Sequence, residues 1–322
     1  MVEITRRDFM KGTAAGIAAM SIMGTGVLAE EQKEEVNMDG KSTHRGALLD
    51  YARIMVAGAM NKAVELGVPM VITVMDMDGN IVLFHRMEGS LLASMDISQN
   101  KAFTAVALKM PSSTVKELAA EGAELQAIAV RGAGKIVQFG GGLPIYDADG
   151  KQIGGIGVSG GSVAEDTACA QAGLDAYEAM EVMEPASGGA LLDLAMKMAE
   201  AAEEKAIEID VPMVISVCDM GGNLVLLHRM ENSLLASLEI SPNKAFTAVA
   251  LKMPSATVKD LAIEGAELQG IAVQHAGRIV EFGGGLPIYD KDGKQIGGMG
   301  VSGGSVAEDT SCVEAGIAVS QE

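Results

Sequence analysis

The sequence predicts an α+β protein made of two tandem copies of one module, each an antiparallel sheet flanked by helices. Three observations carry this. The stretch FGGGLPIYDADGKQIGGIGVSGGSVAEDT at 139–167 returns as FGGGLPIYDKDGKQIGGMGVSGGSVAEDT at 282–310, and the offset of 143 residues also relates Pro69 to Pro212, His85 to His228 and Lys101 to Lys244. Strand-like runs are joined by short polar turns such as Met77-Asp78-Gly79-Asn80, which suit hairpins rather than crossovers. The runs between them repeat their apolar residues at helical spacing.

In chain order, residues 1–29 read as an export signal. Thr5-Arg6-Arg7-Asp8-Phe9-Met10-Lys11 precedes a small, apolar run that ends at Val27-Leu28-Ala29, in the manner of a twin-arginine leader. Residues 30–45 form a polar connector. The first domain is assigned to 46–180, the linker to 181–188 and the second domain to 189–322. Leu48, Leu49, Ala52, Met55, Val56, Ala59, Met60 and Ala63 mark a first helix over 46–66, stopped by Gly67-Val68-Pro69. Strands are expected at 70–76 and 81–87, a loop or short helix at 90–98, and a helix over 99–109 ended by Pro111. A short helix follows at 112–121, with a capping-box-like start at Ser113. Three strands are expected at 135–139, 143–147 and 152–159, then a closing helix over 162–180 capped by Ser162. The second copy repeats the order.

Composition excludes some functions. The chain has 322 residues, enough for two domains of ordinary size, each with its own core. A net charge of −19 repels phosphate backbones and anionic lipid, and 3% aromatics without tryptophan offer no platform for stacking bases. Nucleic acid is therefore not an expected partner. Beyond the signal no stretch approaches the roughly 20 apolar residues of a membrane span. Three cysteines, Cys169, Cys218 and Cys312, make no disulfide framework and read as small core residues.

The candidate chemistry sits on the second strand of each hairpin and on the helix after it. A two-residue period puts Ile81, Leu83, His85 and Met87 on one strand face, and a neutral imidazole there suits a metal or haem iron, with Met87 or Met230 as a soft neighbour. His85 recurs as His228; His44 and His275 have no counterparts. The alternative is a hydrogen-bonded structural histidine. Arg86 and Lys101, with Arg229 and Lys244 in the second copy, suit a ligand carboxylate or phosphate, or else a solvated cation or an ion pair with Asp96 or Glu88. Gly154-Gly155-Ile156-Gly157 lies inside a strand and opens no helix, so a dinucleotide or phosphate loop fails on context. Ser159 and Ser302 lack a matched histidine–acid pair at interpretable spacing, so no catalytic residue is assigned and a binding role is favoured over an enzymatic one.

The ordered set His85-Arg86-Met87-Glu88-Gly89, Lys101-Ala102-Phe103-Thr104-Ala105, Gly141-Gly142-Leu143-Pro144-Ile145 and Ile153-Gly154-Gly155-Ile156-Gly157-Val158-Ser159-Gly160 resembles the GlcG/HbpS family, whose domain also ends the PduO-type corrinoid adenosyltransferases. The likeness spans both copies, although the second reads Glu231-Asn232 where the first has Glu88-Gly89. It implies a profilin-like or PAS-like fold with a five-stranded antiparallel sheet in each copy, homo-oligomers, and haem or another tetrapyrrole as ligand. The resulting expectation is an exported, periplasmic or extracellular protein for haem storage, scavenging or sensing. Its cofactor site would lie at His85, His228, Arg86, Arg229, Lys101, Lys244, Met87 and Met230, with the two histidines as metal ligands. A non-haem binder of an anionic metabolite is the second reading and an enzyme on such a ligand the third. The two copies are expected to pair about a pseudo-two-fold axis.

Overall fold

The computed structural model describes residues 45–321, so the export signal and all but the end of the connector lie outside the described residues. The first repeat runs α1 (Ala47–Leu66), β1 (Val71–Asp76), β2 (Ile81–Arg86), α2 (Ser94–Leu108), α3 (Val115–Leu118), α4 (Ile128–Arg131), β3 (Gly142–Tyr146), β4 (Gln152–Ser159) and α5 (Val163–Glu178). The second runs α6 (Ala190–Glu208), β5 (Val214–Asp219), β6 (Leu224–Arg229), α7 (Ser237–Ala250), α8 (Ser255–Ala262), α9 (Ile271–Gln274), β7 (Gly285–Tyr289), β8 (Gln295–Ser302) and α10 (Val306–Val319). No described helix is long and apolar enough to cross a membrane.

The eight strands form one antiparallel sheet in the order β3-β4-β1-β2-β6-β5-β8-β7. The join is β2 on β6, where Phe84 faces its own repeat equivalent Leu227. A pseudo-two-fold axis therefore passes through that pair, and the order of strands reads the same outward in both directions. The α+β class holds, but each repeat adds four strands, not the five expected. The segment 135–139 is fastened by a side chain instead of a strand: Val137 N–H donates to Thr104 Oγ1 at 2.9 Å. A hydroxyl that takes the amide leaves no ladder to extend.

One helical layer covers each face of the sheet. The apolar stripe of α1, including Leu49, Met55, Val56 and Met60, packs with α5, α6 and α10 onto Ile72, Val74, Leu83, Ile156 and their counterparts. The cluster is continuous across the join, so the chain has one main core where two were expected. Sheet continuity causes this, because Leu83 and Leu226 of the central strands extend the same apolar face. Helix α1 stops at Gly67, in the left-handed region at φ 69°, and α5 opens with a full capping box between Ser162 and Glu165.

On the other face α2 and α7 lie against the glycine-bearing strands. A Cβ at Gly155 would sit 2.8 Å from the Ala102 carbonyl oxygen, so the glycines of β4 exist to let a helix backbone approach. Helix α2 begins earlier than expected because Ser94 and Ser98 are buried, with their hydroxyls bonded to Ser159 and Thr73. The capping box expected at Ser113 does not form; α3 has no side-chain cap, and the neighbouring Ser112 hydroxyl instead donates to Phe139 O at 2.7 Å.

Reciprocal arginine clamps lock the repeats together. Arg86 Nε donates to Leu224 O at 2.8 Å and its Nη2 to Asp219 at 2.5 Å. Arg229 does the same to Ile81 O and Asp76. Asp76 and Asp219 also accept the amides of their own hairpin turns, so each carboxylate couples a turn to the opposite repeat. Because each clamp includes a half-buried charge-assisted bond, Arg86→Met is expected to lower unfolding stability by about 1.5–3 kcal/mol. A denaturation midpoint equal to that of the wild type would contradict the clamp.

Candidate functional site at the repeat seam

Equivalent residues meet where the axis crosses the sheet. Leu83 lies opposite His228 and His85 opposite Leu226, so the two histidines sit diagonally across β2 and β6 on the face that carries α1 and α6. Their rings stack at 5.0 Å between centroids and 23°, with Nε2 of one 2.8 Å from Nε2 of the other. They are only 4% and 2% exposed. Strand alternation thus delivers both imidazoles to one place, as a pair.

The surroundings of the pair are not symmetric. His228 Nδ1 is 2.7 Å from Glu203 Oε1, whereas His85 Nδ1 has no hydrogen-bond partner. Glu203, fully buried on α6, also pairs with Arg53 of α1 and, at 2.9 Å, with Arg45. By the 143-residue offset the counterparts of Glu203, Arg53 and Arg45 are Met60, Met196 and Gly188. A carboxylate therefore orients one histidine and a thioether residue stands in the corresponding place beside the other.

Burial sets the charge states. Desolvation, and then the charges of His228 and Arg53, hold His85 well below its ordinary pKa. Desolvation also lowers His228, against the opposing pull of Glu203. Burial raises Glu203, but Arg53, the hydrogen bond with His228 and Arg45 outweigh it and hold the carboxyl at about 2. At neutral pH the cluster is one carboxylate, two guanidinium ions and two neutral imidazoles.

These shifts share one sign for stability. Each group takes up its proton more readily when unfolded, so stability is complete above about pH 6.5 and falls as pH drops below that, first through the histidines and then, below about 4.5, through Glu203. The expected slope is up to about 1.4 kcal/mol per pH unit for each group in its window. Urea midpoints measured between pH 8 and pH 5 check this, and a flat profile would contradict it.

A cleft of about 580 Å³ opens beside the histidine pair, within the range of small-molecule sites. Its walls are α1 and α6, and the linker residues Val182 to Ser187 run along it. Asn61 on α1 holds the linker, accepting from Ala186 N–H at 2.6 Å and donating to Glu184 O at 3.3 Å. Ile54, Val56, Ala57 and Met183 supply apolar surface, Arg53 and Lys197 cations, and Asp193 and Glu200 acids.

The other expected site residues stand elsewhere. Lys101 is fully buried, donating to Asp166 at 2.5 Å and to Val158 O at 2.8 Å, and Lys244 repeats this with Asp309 and Val301 O. Arg86 and Arg229 form the clamps. Met87 and Met230 are buried in the main core, where each sulfur accepts a backbone N–H at 3.4 Å. The structure brings together His85 and His228, and separates them from the cations first grouped with them. Sequence reasoning passed over Glu203, Arg53 and Arg45. All three cysteines are free and buried, and burial pushes Cys218 up to about 12. No group of three or more metal-ligating side chains occurs among the described residues.

Fold and site together define a class: a tandem α+β protein whose halves share one sheet, one core and a histidine-floored cleft at their seam. Both repeats, over 48–175 and 191–318, match the family described as haem degrading protein HbpS-like, and the chain belongs to that family. Residues 3–22 match the twin-arginine translocation signal, which marks the chain for that export route. A 15.0 kDa protein from the dhaT-dhaS intergenic region of Citrobacter freundii is 46% identical over 126 residues, or 39% of this chain and 88% of the relative. The corrinoid adenosyltransferase PduO of Salmonella typhimurium is 40% identical over 122 residues, which are 38% of this chain and 36% of that enzyme. Among solved structures, a PduOC:haem complex is 38% identical over 39% of this chain and 91% of its own, with a TM-score of 0.39.

Proposed function

We propose that this protein is an exported haem-binding protein, active in the periplasm or outside the cell, that stores, scavenges or senses haem at the seam between its repeats. One observation carries the reading: His85, a neutral imidazole on the floor of a cleft large enough for a small cofactor, has a buried ring nitrogen with no partner. A ligand-accepting imidazole beside apolar walls is the donor chemistry a haem iron requires.

The remaining residues fit the same ligand. Ile54, Ala57, Val182 and Met183 suit the face of a macrocycle, and Arg53 and Lys197 suit its carboxylates. The two Nε2 atoms, 2.8 Å apart across hydrogen-bonded strands, leave no room for an iron between them. His85 would therefore bind through Nδ1, its unpartnered ring nitrogen, while its other ring nitrogen is bonded to His228. Bound iron would supply any redox or gas-binding chemistry, while this chain holds, orients and shields it. A binder of a non-haem anion at Arg53 and Lys197 is the second reading.

Haemin titration of the purified exported form tests the proposal. A shifted, saturable Soret band at micromolar haemin is expected, with its loss in His85→Ala. No Soret change in the wild type would remove the haem reading and leave the anion reading.

A further inference from the structure

Counting protons across the seam gives a result that symmetry alone would not. Glu203, buried between the guanidinium groups of Arg45 and Arg53, is a carboxylate that can only accept, so the proton in its 2.7 Å bond is on Nδ1 of His228. A neutral His228 then has a bare Nε2, which accepts. The 2.8 Å bond between the rings must be donated by Nε2–H of His85. Two neutral imidazoles hold two protons, and both are now placed. Nδ1 of His85 is left as a lone pair, the same buried atom that lacks a hydrogen-bond partner.

We infer that Glu203 is a positioning residue that fixes the proton order Glu203, His228, His85 across the repeats, so that the chain presents one iron-accepting nitrogen, Nδ1 of His85, and one site per chain instead of two. The inference deepens the haem reading and rests on it for the identity of the metal. The proton order itself does not. A symmetric pair of this kind would be undecided, since either ring could donate to the other. Met60, in place of a second carboxylate, removes the competing acceptor beside His85. Arg45 and Arg53 keep Glu203 ionised and fixed on α6, and the second repeat has Met196 at the position corresponding to Arg53. The second repeat thus supplies orientation, and the first supplies the ligand.

The direct test is ¹⁵N NMR of the histidine rings in the ligand-free protein at neutral pH, assigned through single-histidine replacements. The expected spectrum has His228 as the Nδ1–H tautomer and His85 as the Nε2–H tautomer. An Nδ1–H tautomer at His85, or rings averaged between tautomers, would overturn the inference. Glu203→Gln offers a single oxygen, which Arg45 and Arg53 hold at the Oε2 position, so its NH2 faces Nδ1 of His228 and the order is expected to reverse; an unchanged order in Glu203→Gln or in Glu203→Leu would overturn the role of Glu203. Haemin titration adds stoichiometry, with an end point of one per chain expected and two contradicting the single site. If no haem binds, the haem reading falls while the NMR result still decides the proton order.

Discussion

Lys101→Met is expected to cost about 3–5 kcal/mol of unfolding stability, enough to unfold many domains of this size. The ammonium has no solvent: it lies between Asp166 and Val158 O, over the Phe139 ring at 5.2 Å. Desolvation lowers the lysine pKa, and the hydrogen bond and charge of Asp166 oppose that shift. Removing it strands a carboxylate that is 3% exposed. Two amides, Gly160 N–H at 3.0 Å and Gly161 N–H at 2.9 Å, still bond Asp166 and keep the loss from being larger. Lys244→Met should behave alike, since Lys244 makes the same bonds to Asp309 and Val301 O. Chemical denaturation measures both, and a loss under 1 kcal/mol would show that the pair is not what ties α2 to β4 and α5.

Glu203→Leu is expected to be as damaging, about 3–5 kcal/mol, for the opposite electrostatic reason. It leaves Arg45 and Arg53 facing each other beside the Nδ1–H of His228, all without the one acceptor they share. The variant should also lose the part of the acid sensitivity that lies below about pH 4.5, because the carboxyl held at about 2 is gone. Denaturation at pH 7 and pH 4 separates the two effects. Wild-type stability at pH 7 would contradict the buried network.

Much of this was legible from residues alone. The repeat offset, the hairpins and the long apolar stripe of α1 are local periodicities, and β4 falls on 152–159 as expected. The strand alternation that put His85 with Leu83 predicted the right face of the sheet. What failed was non-local. Nothing in the pattern of β2 says that it pairs with β6, because both sides of a central strand are buried whichever neighbour is present. The expected strand at 135–139 is an apolar run like any other until Thr104 takes its amide. Lys101 looked like a ligand-binding cation because its partner, Asp166, lies 65 residues away and doubles as first-turn charge on α5.

Glu203 leaves a trace in the sequence. It falls on the buried stripe of α6 with Leu192, Ala195, Ala199 and Ala206, and the first repeat has Met60 there. An acid on an apolar stripe, at a position where the twin copy is apolar, marks a buried charge that needs a partner. Departures from an internal repeat are as informative as the repeat.

We propose that the ligand is held at the seam by His85. Parallel haemin titrations of His85→Ala and His228→Ala test it most directly. No Soret shift is expected in His85→Ala, and a weakened but present shift in His228→Ala, where the ligating ring survives and loses only its support. Wild-type binding by His85→Ala would contradict it.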